Sequence, residues 1–289
     1  MQKVTHSEYI AQKKPLAKQL LAKLNEKYQY ASVLITDNYE KGYRASRSGV
    51  AISATNAFGG KGMIVKVYDG KGYAEYSTNE ITAENLPEIE REIEQQLMNP
   101  ANFIPEGTEE AEYKCISDEP CTLCEATDYE IHPREVGDEK LIETVTALRE
   151  KAVKADERIL DAITGFIYQE YHKLFLSANR ELEQSVLYST GIMALVAAKG
   201  EEIKQSFRGF SNLGGAELLD KMESAIPQCV KTVTDLLNAE PMEPGTYECI
   251  CTPEVTGMIV HEAFGHGVEM DMFVKDRALA QSYIGKQVA

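Results

Sequence analysis

The segment from 159 to 210 constrains the fold most. It reads as strands at 159–168, 171–178, 185–198 and 201–210, dense in Ile, Val, Leu and aromatic residues. Ser189-Thr190-Gly191 and Lys199-Gly200 read as turns between them, which makes the segment an antiparallel meander. A sheet of this kind must cover an apolar face, and the flanking sequence supplies helices for that purpose. Residues 138–157 are charged and amphipathic, with Leu141, Ile142, Val145 and Leu148 on one side. Gly214-Gly215 closes the strands. A helical pattern then runs to about Leu237, with Pro227 read as the first turn of its main segment.

The N-terminal part has the same ingredients. Ile10, Leu16, Leu20, Leu21 and Leu24 recur at helical spacing within 7–28, with Ser7 as a cap or Pro15 as the first turn. Strands are predicted at 30–37, 42–54, 62–69 and 73–77. Gly59-Gly60-Lys61-Gly62 and Asp69-Gly70-Lys71-Gly72 separate the later ones. Thr82 with Asn85 and Leu86 opens an acidic helix to about Met98. The fold class is α+β. The predicted domains are a helix-flanked antiparallel sheet over 1–105, a β-meander with helices over 106–240, and from 241 the leading part of a β-rich domain. The boundary at 241 rests on Pro241-Met242-Glu243-Pro244-Gly245.

Composition excludes several functions. A net charge of −16 argues against a nucleic-acid binder, whose footprint would be basic. No run of about 18 apolar residues indicates a membrane span. The start, MQKVTHSEYIAQKK, has no apolar core of a signal peptide, so a cytoplasmic location is expected. The six cysteines then read as reduced thiols. Neither glycine cluster has the spacing of a phosphate loop. Residues 99–136 read as an irregular linker with Pro100, Pro105, Pro120 and Pro133. Within it Cys115, Cys121, Cys124 and His132 are a candidate structural metal cluster, a redox pair at Cys121 and Cys124, or incidental thiols.

The richest chemistry lies in His261-Glu262-Ala263-Phe264-Gly265-His266-Gly267. Two imidazoles are candidate ligands for Zn²⁺, and Glu262 is a candidate base for activating water. The histidines are five apart, not four. On a regular α-helix at about 100° per residue they would lie roughly 140° apart and could not share an ion. The backbone is therefore predicted to leave α geometry between Phe264 and Gly267, through a π-bulge or a helix end, helped by Gly265 and Gly267. Upstream, 246–252 alternates as a strand with Tyr247, Cys249 and Cys251 on one face. Thr252 and Pro253 then start a helix that carries Val255, Met258 and Ile259 into the motif. Glu269 and Asp271 are either partners that orient an imidazole or solvated acids.

The runs HEAFGHGVEMD and SYIGKQVA (282–289) resemble the TldD/PmbA family of metallopeptidases, marked by HExxxH in place of HExxH. A weaker resemblance extends through 40–77 and GGAELLDKMESAI (214–226). It implies that His261 and His266 are zinc ligands and Glu262 the catalytic base. It further implies unfolded peptides as substrates, bound by strand addition in a homo- or heterodimer with an enclosed site. Members without the motif act as non-catalytic partners, which is the alternative function. The family takes its third zinc ligand from a downstream cysteine, expected beyond Ala289, so a weak or absent metal site is predicted for the 289 residues. Cys249, Cys251 and Glu269 are the nearer donors, and the resemblance implies none of them.

Overall fold

A computed structural model describes residues 1–54, 60–98, 115–274 and 277–287. They form two units, Met1–Ala239 and Glu240–Ala289. The first runs β1 (Gln2–Lys3), α1 (Glu8–Lys27), β2 (Tyr30–Ser46), β3 (Gly49–Ala54), β4 (Gly60–Tyr68), β5 (Tyr73–Thr78), α2 (Leu86–Met98) and β6 (Cys121–Ala126). It continues with β7 (Asp128–Tyr129), α3 (Pro133–Val136), α4 (Asp138–Lys154), β8 (Ile159–Ser177), β9 (Arg180–Lys199), β10 (Glu202–Leu213) and α5 (Leu218–Leu236). Eight strands make one sheet in the order β10-β9-β8-β2-β4-β5, with β3 beside β2 and β6 parallel to β9. β1 and β7 pair separately.

The segments 1–105 and 106–240, predicted as separate domains, share this sheet. β2 and β8 pair from Ser32↔Ser177 to Ala45↔Thr164, so each supplies the hydrogen-bond partners the other would otherwise lack. The predicted boundary at 105 lies outside the described residues. Several strands are longer than their sequence signals. The runs 30–37 and 42–54 resolve into β2 and β3, which fold back at Arg47-Ser48, and 159–178 is almost wholly one strand. Ser189-Thr190-Gly191 is not a turn but the middle of β9. Gly191 is there because the side chain of Met222 occupies the place where a Cβ would sit. Gly200, at φ +62°, makes the true turn. Pro227 lies in the middle of α5, not at its first turn. The helix continues because Met222, Ile226, Cys229 and Val233 are buried on one face, which outweighs a lost backbone hydrogen bond.

Alternation along the strands explains how the sheet is covered. On β8 the even-numbered side chains face the helices. Phe166 and Tyr168 enter one core, formed with Leu141, Val145 and Leu148 of α4 and Met222, Ile226 and Val233 of α5. Leu174 and Leu176 enter a second, formed with Leu20 and Leu24 of α1 and Ile89 and Ile93 of α2. Each fully buried aliphatic side chain contributes about 1.5–3 kcal/mol. Between the cores the same face carries Glu170 and His172. A polar belt therefore divides one helix-covered face into two apolar halves. α1 starts where predicted, with Ser7 Oγ accepting from Ile10 N–H at 3.2 Å, and Thr82 and Asn85 exchange side-chain-to-backbone bonds ahead of α2.

In the second unit, 246–252 forms no strand. Strand structure requires a pairing neighbour, and none occurs for this segment among the described residues. The helix α6 (Pro253–Val260) follows, then α7 (Met270–Val274).

Candidate metal centre

Thr252 is extended and Pro253 opens α6, in agreement with the start signals. The Thr252 hydroxyl makes no capping bond, and its carbonyl accepts Thr256 N–H at 2.9 Å. From His261 to Gly265 the helix widens into a π-turn, and His266–Val268 tightens into a 3-10 turn. The His266 N–H reaches the His261 carbonyl, five residues back. The departure from α geometry predicted near the motif is present, and it starts earlier, at His261. The two glycines are not its steric cause. Gly265 keeps right-handed helical angles (φ −55°, ψ −50°), and neither it nor Gly267 has a positive φ.

The widened turn returns the second histidine to the face of the first. The imidazole centroids are 4.5 Å apart, edge to face at 73°. One nitrogen of each ring and a Glu262 carboxylate oxygen all lie within 4.8 Å of one another. Glu262 Oε2 is 3.8 Å from His266 Nε2, and all three side chains are exposed. Glu269 Oε1 lies 2.7 Å from His266 Nδ1. A carboxylate can only accept, so in the neutral imidazole this contact favours the proton on Nδ1 and leaves Nε2 as the acceptor. This is how a second carboxylate orients a histidine ligand. The contact sets Glu269 against the imidazole, with both side chains about half exposed.

The donor set suits a borderline cation such as Zn²⁺: two imidazole nitrogens and an adjacent carboxylate. Among the described residues the grouped donors are His261, Glu262 and His266. Cys249 and Cys251, also exposed, are not in the group; the Cys249 thiol lies 3.8 Å from the Tyr247 carbonyl.

The cysteine-rich stretch does not assemble as a metal cluster among the described residues. Cys121 and Cys124 are on β6, which pairs with β9 through Cys121↔Arg180 and Cys124↔Glu183. Three residues apart on a strand, they face opposite sides at about 10 Å. A disulfide needs Cα atoms within about 7 Å, so the redox-pair reading fails on geometry. His132 instead caps α3, its Nδ1 accepting from Arg134 N–H at 3.3 Å.

No family model matches the chain. It is similar to a metalloprotease of Methanothermobacter thermautotrophicus, at 24% identity over 134 residues, covering 45% of this chain and 30% of that protein. A metalloprotease of Archaeoglobus fulgidus gives 27% over 129 residues, covering 44% and 30%. A third, from Methanocaldococcus jannaschii, gives 20% over 273 residues, covering 93% of this chain and 58% of that protein. The chain thus matches less than two thirds of the length of these curated relatives. Among solved structures, a putative modulator of DNA gyrase from Bacteroides thetaiotaomicron has a TM-score of 0.72 at 15% identity, over 96% of this chain and 61% of that one. TldE from Thermococcus kodakarensis has a TM-score of 0.54 at 13% identity, over 76% and 47%. At these identities the likeness is one of fold.

Proposed function

We propose that this chain, which has the fold of TldE and so of the TldD/PmbA family, carries part of a metallopeptidase site: His261 and His266 hold Zn²⁺, and Glu262 is the general base. The π-turn is the observation that carries the reading. A regular helix would separate the two rings, and the chain departs from α geometry at just the residues where departure reunites them. The name metalloprotease on three curated relatives supports the same reaction class.

Zinc bound there would supply Lewis acidity, which polarises a scissile carbonyl and makes water easier to deprotonate. Glu262 stands beside the imidazoles with its carboxylate exposed, able to take a proton from water and later release it to the leaving amine. Glu269 keeps His266 in the tautomer a ligand needs. A catalytic zinc usually has three protein ligands, so His261 and His266 alone hold it weakly. In the family the third is a downstream cysteine. The substrate we infer is an unfolded peptide, cleaved in the cytoplasm by a homo- or heterodimer, without nucleic acid or membrane. No helix of the described residues is long and apolar enough to cross a membrane. One alternative is a non-catalytic binding subunit of such a complex.

Glu262→Gln tests the roles. It should retain bound zinc, read by elemental analysis, and lose hydrolysis of a quenched-fluorescence peptide by a factor of about 10² or more. A His261→Ala, His266→Ala double variant should lose the metal. Zinc lost in Glu262→Gln would make Glu262 a ligand, and peptide turnover left intact by it would remove the base assignment.

A further inference from the structure

Three of the five histidines gather in the polar belt of the first unit. Strand register puts Glu170 and His172 of β8, Glu183 and Ser185 of β9, and Cys124 of β6 on one face of the sheet. His6 reaches them from the segment before α1. The contacts form a chain. Cys124 Sγ lies 3.4 Å from His6 Nε2, His6 Nδ1 lies 2.9 Å from Ser185 Oγ, and Ser185 Oγ lies 2.9 Å from His172 Nδ1. His172 Nε2 lies 3.6 Å from Glu170 Oε2. Glu170, His172 and Ser185 are buried, whereas Cys124 is exposed.

The buried end dictates where each proton sits. Burial opposes the charged form of Glu170, but the contact with the His172 ring and the charge of Arg134 outweigh it and hold its carboxyl below the ordinary range. Arg134 Nε is 2.8 Å from Oε1. A carboxylate only accepts, so neutral His172 carries its proton on Nε2. His172 Nδ1 is then an acceptor and takes the single Ser185 O–H. Ser185 Oγ in turn accepts from His6 Nδ1–H, an arrangement that Glu183 Oε1, 3.5 Å away, also favours. Lys14 at 3.0 Å offsets the Glu183 charge. His6 Nε2 is left with a bare lone pair facing the Cys124 thiol. A nucleophile, a base within reach and a third group orienting the base are the parts of an activated thiol.

We propose that Cys124 is a reactive thiol, with His6 as its base, that undergoes exchange with small-molecule disulfides. His6 Nε2 takes the thiol proton, and the Cys124 sulfur attacks one sulfur of RS–SR. The new Cys124–S–SR bond forms as the S–S bond of the reagent breaks, and the departing RS⁻ takes the proton from His6 as RSH. The disulfide is the oxidant. Cys121 faces the other side of β6 and cannot resolve the product, so the mixed disulfide persists until an external thiol reduces it. The site is one of reversible modification, not a dithiol centre.

The test is modification of the full chain by 4,4′-dithiodipyridine at pH 7, a neutral probe that the −16 charge does not repel. Fragment-ion mass spectrometry reports Cys121 and Cys124 separately, and because both are exposed on one strand, each is a control for the other. Cys124 should react about tenfold faster or more, and His6→Ala should bring it down to the rate of Cys121. Ser185→Ala should reduce the advantage by cutting the relay. Equal rates in the unmodified protein would overturn the proposal without any variant. So would a Cys124 advantage that survives His6→Ala.

Discussion

Glu269 touches only His266 in the candidate centre, yet it decides which nitrogen of that ring is available. Glu269→Ala should therefore weaken zinc binding about 10–100-fold with the helix intact, measured by competition with a chromogenic chelator. Unchanged affinity would mean that the 2.7 Å contact is a surface ion pair of little consequence. His261, Glu262 and His266 were legible from sequence because their spacing conflicts with a regular helix, and a conflict with local geometry marks a site. For Glu269 the sequence offered a partner or a solvated acid, and the contact with His266 appears only once the helix end is known. The Cys124–His6 contact was not legible. It spans 118 residues, and it needs both the register of β6 on β9 and the placement of the segment before α1. The same register separates Cys121 from Cys124, so a C-x-x-C pattern proved uninformative once it fell on a strand.

Elements were readable by type more than by extent. Most strands and helices of the first unit appear where alternation and 3.6-residue periodicity placed them, but β6, β7 and α3 lie within 99–136, which read as irregular, and some turn signals misled. Ser189-Thr190-Gly191 looks like a turn, and the close approach of Met222 explains its glycine better. Pro227 looks like a first turn, and burial of one face carries α5 through it. The segment 246–252 alternates like a strand, yet alternation without a neighbour does not make one. The π-turn gives a test at this scale. Deleting Ala263 sets the histidines four apart, about 40° on a regular α-helix, so metal binding should survive although the wide turn does not. Inserting one alanine after Ala263 sets them six apart, about 120° off, and should abolish it. Metal content by elemental analysis reads both variants. Equal binding by all three lengths would show that the turn has no part in the site.

At the scale of the molecule, α+β character and paired helices were evident from sequence, while the union of 1–105 and 106–240 was not. Pairing between β2 and β8 joins residues over a hundred positions apart, and no local pattern reports it. Both cores rest on those strands, which makes a prediction. Leu174→Ala in one core and Met193→Ala in the other should each cost about 2–5 kcal/mol. In hydrogen exchange each should also speed exchange along β2 and β8 on both sides of the polar belt. Changes confined to the mutated side would mean two independently opening modules.

The alternation of β8 has an evolutionary corollary. Phe166, Tyr168, Glu170, His172, Leu174 and Leu176 share one parity, so one codon gained or lost within the strand would turn part of this series toward the opposite face. Relatives of this chain should therefore vary in length at hairpin tips such as 47–48, 178–179 and 200–201, and change the strand interiors by two residues at a time or by a compensating bulge.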